Sequence, residues 1–113
     1  MNNKYGNQRT TIDNIIFDSK KEAERYLQLK LMQKGGVIRN LELQKRIEIL
    51  PKLEVIKQGE KAKRAVCYVA DFVYEVVATG QVVIEDAKGV RTDVYKLKKR
   101  LLRQLHGKII VEV

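Results

Sequence analysis

Two aspartates and a lysine lie at a spacing that could form a metal-dependent hydrolytic site. Asp71 falls in the apolar run VCYVADFV, and Asp86 and Lys88 fall in the next run, VVIEDAKG. Side chains two positions apart in a strand project to the same face, so Asp86 and Lys88 should point together. A turn at Thr79-Gly80 would pair the runs as a hairpin and bring Asp71 beside them. Carboxylates and a lysine that converge on a sheet can hold a divalent metal and hydrolyse a phosphodiester bond.

The same residues have a simpler interpretation, because charged side chains in short apolar runs often form the solvent-facing half of an amphipathic strand. Here the neighbours are nearly continuous apolar residues, which is typical of central strands buried on both faces. A carboxylate buried there is costly unless it is paired or binds a metal. For Lys88, a salt bridge to one of the aspartates is the alternative to a catalytic role.

Length and composition predict the number of domains and argue against a membrane protein, a disulfide-bonded protein and a zinc protein. A length of 113 residues with 44% hydrophobic residues predicts one domain, residues 1–113, with a single core. No apolar run reaches the roughly 20 residues of a membrane span, and the polar start does not resemble a signal peptide, so we expect a cytoplasmic protein without a membrane partner. One cysteine excludes an intrachain disulfide, and one histidine argues against a Cys/His zinc site.

The net charge predicts a polyanionic partner. Lysine and arginine outnumber the acids 23 to 14, which gives a formal charge of +9 and favours nucleic acid. A helix predicted over about 93–105 separates an apolar stripe from a basic one. The expected core-facing residues are Val94, Leu97, Leu101 and Leu105. The residues expected to contact DNA phosphates are Lys96, Lys99, Arg100 and Arg103, with a solvated helix face as the alternative.

Capping and turn residues predict the remaining elements. Residues 1–18 should form a basic N-terminal arm with a possible hairpin that turns at Asp13-Asn14. Ser19 and Glu22 form a capping box for a helix that runs to about residue 34 and stops before two glycines. Strands at about 41–50, around Asp71 and before residue 87 follow, then the basic helix and the final strand KIIVEV. The order is α-β-β-β-α-β.

This order and several motifs resemble the PD-(D/E)XK nuclease superfamily, and within it small phage-encoded proteins similar to Holliday-junction resolvase-like endonucleases. The motifs are KYG, FDSKKEAERY, YVADFVYEV, EDAKG and TDVYKLKK. Asp71 corresponds to the first acid, and Asp86-Ala87-Lys88 to the (D/E)XK element. Two departures weaken the match: Ala70 stands in the place of the proline, and the second acid is aspartate instead of the commoner glutamate. A carboxylate remains at each place.

The resemblance implies an α/β, restriction-endonuclease-like αβββαβ core with a central mixed sheet flanked by helices. It also implies a Mg²⁺-dependent endodeoxyribonuclease, with Mn²⁺ as another possible metal, acting on branched or duplex DNA in phage recombination or replication, within the bacterial host cytoplasm. The implied metal ligands are Asp71, Asp86, the carbonyl of Ala87 and Glu22. Lys88 would position or activate the attacking water. Because two strands must be cut and the chain has one such site, we expect a homodimer.

Several alternatives stay open. Glu22 is fully explained as a helix cap, in which case Glu24 is the substitute ligand. Glu85 should point away from Asp86 and is a second choice. Gln44 could reach the site from the first strand and orient a water or a phosphate, and His106 fits a helix C-terminus better than a general base. The competing functions are a catalytically inactive DNA-binding module with the nuclease fold and a basic accessory protein.

Overall fold

The computed structural model describes residues 9–52, 63–87 and 91–113, which form six strands and two helices. The elements are β1 (Thr10–Ile12), β2 (Ile15–Phe17), α1 (Lys20–Lys34), β3 (Ile38–Leu50), β4 (Val66–Val76), β5 (Val82–Asp86), α2 (Asp93–His106) and β6 (Ile110–Glu112). β1 and β2 form one sheet, and the second sheet has the order β3-β4-β5-β6. From α1 onward the described elements follow the predicted α-β-β-β-α-β order, which confirms the α/β fold class.

The four-stranded sheet is mixed. A turn over residues 77–79 joins β4 to its neighbour β5 as a hairpin, in which the Val76 N–H donates to the Gln81 carbonyl at 2.8 Å. Gly80 supplies the left-handed backbone of this turn at φ 73°, as its place in the predicted turn requires. β5 and β6 run parallel, and α2 makes the crossover between them. The register sets Asp86 opposite Glu112.

The chain forms two compact units, and the first contains the described residues up to Leu41 together with Tyr74–Val82. In this unit α1 packs on the β1-β2 hairpin, where the rings of Phe17 and Tyr26 lie 5.0 Å apart between centroids. The Tyr26 hydroxyl donates to Asp13 at 2.8 Å. Burial and this hydrogen bond both raise the pKa of Tyr26.

The local signals of the first unit act as the sequence predicts. Asp13 and Asn14 have φ values of 53° and 64°, so the hairpin turns where expected, on residue types that tolerate the left-handed region. Ser19 is the N-cap of α1, and its hydroxyl accepts the N–H of Glu22 at 3.1 Å. Gly35 follows as the C-cap. β3 begins at Ile38, three residues earlier than predicted.

The second unit contains the described residues of Glu42–Val73 and Val83–Val113. Its hydrophobic core joins four strands to α2. The buried members are Ile47, Ile49, Tyr68, Ala70, Ile84, Tyr95, Leu102 and Ile110. The single domain expected from the chain length stays a prediction. In the part of the chain that the structure describes, neither helix has the length and apolar character to cross a membrane.

The predicted core-facing stripe of α2 is wrong. Tyr95 and Leu102 are the buried residues of this helix, whereas the side chains of Val94, Leu97 and Leu105 are 62%, 57% and 53% exposed. Only Leu101, among the four predicted residues, packs against the core. The helix is therefore turned by one residue, roughly 100°, from the predicted orientation. Burying the Tyr95 ring removes more apolar surface than burying a valine, and its hydroxyl keeps a hydrogen-bond partner in Glu112.

The turned helix gives a prediction on stability. Leu102→Ala should lower the free energy of unfolding by about 2–5 kcal/mol, because a fully buried leucine leaves a cavity. Leu105→Ala, the matched control on the same helix, should change it by only about 0.5 kcal/mol. Urea unfolding followed by circular dichroism measures both. An equal decrease in the free energy of unfolding of the two variants would show that Leu105 is buried, as the sequence predicted.

Candidate functional site

Asp86 is fully buried at the end of β5, on the side of the sheet that α2 covers. The Tyr68 hydroxyl from β4 donates a hydrogen bond to its Oδ2. The Tyr68 ring belongs to the core and lies 6.1 Å from the Tyr95 ring between centroids. Burial first, and then the hydrogen bond to Asp86, raise the pKa of Tyr68, so the hydroxyl stays protonated and acts as a donor. Tyr68 thus fixes one oxygen of the Asp86 carboxylate.

Asp71, also buried, is held by two donors. Its Oδ2 accepts the N–H of Ala87 at 2.8 Å, and its Oδ1 accepts the side-chain amide of Gln44 at 3.3 Å. Gln44 has a φ of 50°, a left-handed conformation that costs a residue with a Cβ on the order of 1–3 kcal/mol. The strained residue thus contacts the predicted first acid. Its expected reach toward Asp71 is confirmed, while its role in orienting a water or a phosphate stays a prediction.

The two aspartates do not share a face of the sheet, and the structure links them through the residue that follows Asp86 at the end of β5. In β4 the buried residues alternate at Tyr68, Ala70 and Phe72, so Asp71 belongs to the opposite set. It reaches the Asp86 end of β5 through the Ala87 N–H, one residue beyond the strand. By the same alternation, the buried Glu85 lies opposite Asp86 and on the Asp71 side. Each face of this strand end therefore carries a buried carboxylate.

A fourth acid, Glu112, lies beside Asp86 as its register partner on β6. Its carboxylate accepts hydrogen bonds from the Arg91 Nε at 2.6 Å, the Lys99 Nζ at 2.9 Å and the Tyr95 hydroxyl at 3.2 Å. The hydrogen bond from Lys99, followed by those from Arg91 and Tyr95, lowers the pKa of Glu112 to about 2. Sequence analysis missed Glu112 because a three-residue strand carries no motif.

The four basic residues of α2 that were predicted to contact phosphates all line one cavity, which has a volume of about 270 Å³. The lining residues are Arg91, Tyr95, Lys96, Lys99, Arg100, Arg103 and Glu112. Lys99 is ion-paired with Glu112, so it differs from the other three residues of the predicted phosphate contact. Within residues 9–52, 63–87 and 91–113, no acid forms an ion pair with Lys96, Arg100 or Arg103.

The remaining predicted site residues are Glu22, Lys88 and His106. Glu22 is buried on α1, in the first unit, and its N–H donates to the hydroxyl of the N-cap Ser19, so its part in a metal site stays a prediction. Lys88 lies outside the described residues. His106 sits in the last turn of α2, with its Nε2 2.8 Å from the Ile49 carbonyl oxygen. Among the described residues, no three His, Cys, Asp or Glu side chains are grouped to hold a metal ion.

The Glu112 ion pairs predict a pH dependence of stability. The folded pKa of about 2 lies below the ordinary value of 4.5, so the stabilisation is complete above about pH 4.5 and is lost as the pH falls through about 2. Glu112→Gln should therefore lower the free energy of unfolding at neutral pH, and its difference from the wild type should shrink toward pH 2. Urea unfolding over this pH range measures the difference.

The control for this prediction is Glu48→Gln, which removes the same charge from an exposed position on β3. It should show a small difference from the wild type at every pH. A Glu112→Gln difference that stays constant from neutral to acid pH would contradict the ion-pair explanation.

Comparison with known proteins places the chain in a family. No curated protein and no solved structure matches it. One family model, described as "Protein of unknown function (DUF1064)", matches residues 2–111, which is nearly the whole chain. The chain, with its α-β-β-β-α-β order and its buried aspartates on neighbouring strands, belongs to this DUF1064 family.

Proposed function

We propose that this protein is a Mg²⁺-dependent endodeoxyribonuclease that hydrolyses phosphodiester bonds in branched or duplex DNA. The observation that carries the proposal is the hydrogen bond from the Ala87 N–H to Asp71, which holds one buried carboxylate against the strand end that bears another, Asp86. The formal charge of +9 and the basic face of α2 support a DNA substrate. The resemblance to phage-encoded resolvase-like nucleases supports a role in phage recombination or replication, in the cytoplasm of the bacterial host.

The donor chemistry fits a hard divalent cation. Asp71, Asp86 and the main-chain carbonyl of Ala87 are oxygen donors of the kind that Mg²⁺ prefers, and the Ala87 N–H ties Asp71 to the strand end that bears the other two. A bound ion would supply the positive charge that lowers the pKa of a water and stabilises the phosphoryl oxygens. In this proposal Glu22 completes the ligand set, and Lys88 positions the water.

The side chains around the aspartates have supporting roles in the proposal. Tyr68 keeps one oxygen of Asp86 engaged and so orients the other, as donors behind a metal ligand commonly do. Gln44 does the same for Asp71. Lys96, Arg100 and Arg103 would contact the DNA backbone, which positions the strand without reading its sequence.

The direct test is cleavage of labelled linear, flapped and four-way DNA by the purified protein, with Mg²⁺, Mn²⁺ or EDTA. We expect cutting with either metal and none with EDTA. Asp71→Asn should lower the cleavage rate at least about 100-fold, the size of effect typical for loss of one group that stabilises the transition state, while DNA binding in EDTA is retained. Cutting that proceeds equally well in EDTA would exclude the metal.

The same assay distinguishes the two carboxylates at the end of β5. Asp86→Asn should abolish cutting as Asp71→Asn does, whereas Glu85→Gln should leave most of it. Glu48→Gln is the control for the loss of one negative charge at an exposed position. If Glu85→Gln is inactive and Asp86→Asn is active, the ligand on this strand is Glu85, on the Asp71 side of the sheet.

A DNA-binding module without catalytic activity is the second candidate. It is favoured by the finding that no group of three metal-binding side chains exists among the described residues. Tight binding of branched DNA with no cutting in either metal would establish it.

The homodimer is part of the proposal, because cutting both strands of a duplex takes two sites. Light scattering at micromolar concentration should give twice the 13.1 kDa chain mass for the protein alone. With four-way DNA present, the protein mass that remains after subtraction of the DNA mass should be the same. A monomeric mass under both conditions would point to an enzyme that nicks one strand.

A further inference from the structure

The cavity on the basic face of α2 holds an unusual arrangement of charge. Its seven lining residues include five cations and one carboxylate, Glu112. The carboxylate forms ion pairs with Arg91 and Lys99, at 2.6 and 2.9 Å, and also accepts a hydrogen bond from the Tyr95 hydroxyl. The cavity therefore keeps a net positive charge after its internal pairing, on the side where Lys96, Arg100 and Arg103 project.

Glu112 occupies this cavity in the way that a bound phosphate would. A carboxylate offers oxygen acceptors to arginine and lysine with nearly the same geometry as a phosphate oxygen pair. Its low pKa shows that the surrounding cations stabilise a negative charge at this position. Glu112 is also 23% exposed, so its cations are open to an external anion.

We propose that this cavity binds one phosphate group of a nucleic-acid strand and that Glu112 is an internal competitor for the same cations. Lys96, Arg100 and Arg103 would contact the phosphate first, and Arg91 and Lys99 would be shared between it and Glu112. Glu112 thereby weakens binding to every phosphate. The inference rests on the proposed function only in taking the anion to be part of a nucleic acid.

The cavity lies close to the candidate metal ligand Asp86, so a phosphate bound in it would position the DNA for cutting. Glu112 and Asp86 are register partners on neighbouring parallel strands, which lie about 4.7–4.9 Å apart. A phosphate held at Glu112 would therefore place the bound DNA strand at the distance of one β-strand spacing from Asp86. The Glu112 carboxylate would also favour release of the DNA strand after cutting, because it competes with the phosphate for Arg91 and Lys99.

The test compares two glutamates that are matched in environment. Glu75 accepts hydrogen bonds from Arg39 at 2.8 Å and Asn40 at 3.3 Å, and, like Glu112, its side chain is 23% exposed and its pKa is lowered. It belongs to the first unit, away from the cavity residues in the chain. Glu112→Gln and Glu75→Gln raise the net charge equally and each releases an arginine.

Binding of a short labelled DNA duplex is measured by fluorescence anisotropy in EDTA, so that cutting plays no part, over a series of salt concentrations. Glu112→Gln should bind more tightly than the wild type, with a slope of log affinity against log salt that is steeper by about one for each of the two released cations. Its advantage over the wild type should then shrink roughly tenfold between about 50 and about 200 mM salt. Glu75→Gln should keep the wild-type slope.

A second variant avoids any effect of Glu112 on folding. Lys96→Ala leaves the Glu112 contacts intact and should flatten the wild-type slope by about one. Equal slopes for Glu112→Gln and Glu75→Gln, weaker binding by Glu112→Gln, or an unchanged slope for Lys96→Ala would each overturn the phosphate site. If the predicted slopes are found but no DNA is cut in Mg²⁺, the proposed nuclease fails and the phosphate site stands.

Discussion

Burial of carboxylates at one end of the four-stranded sheet is the constraint on which the rest of the second unit depends. Asp71, Glu85 and Asp86 are all buried, and a buried charge is tolerated only where donors meet it. The N–H of Ala87 and the hydroxyl of Tyr68 supply two of these donors, so the acids determine which backbone and side-chain groups must face them. A core built only for stability would place apolar residues at these positions.

The helix that covers this sheet meets a related constraint. α2 carries cations in successive turns of one face, and such like charges repel one another. Glu112 reduces the repulsion by pairing with Lys99 on the helix and with Arg91 before it. It also gives the buried Tyr95 hydroxyl a partner, which allows the Tyr95 ring to enter the core. Glu112 on β6 therefore both fixes the orientation of α2, through Tyr95, and reduces the repulsion among its cations.

Much of the fold could be predicted because its signals are local. The turn at Asp13-Asn14 and the cap at Ser19 depend on residues within a few positions of each other, and each lies where the sequence predicts. The long apolar run around Asp71 predicts a buried strand, since few other structures hide such a run. The candidate site was predicted less completely. Neither Tyr68 nor Glu112 carries a pattern, because their contacts lie 18 and 13 or more positions away along the chain.

The sequence by itself determined the element order, the turns and caps, and the burial of Asp71 and Asp86, because backbone hydrogen bonding and hydrophobic runs act over short distances. The tertiary structure alone decided the rotation of α2, the register that sets Asp86 beside Glu112, and the contact of Asp71 with Ala87. An aliphatic stripe on a helix can face a core or solvent with the same spacing. The helix turns toward the sheet the side that buries more apolar surface, and here that side carries Tyr95 and Leu102.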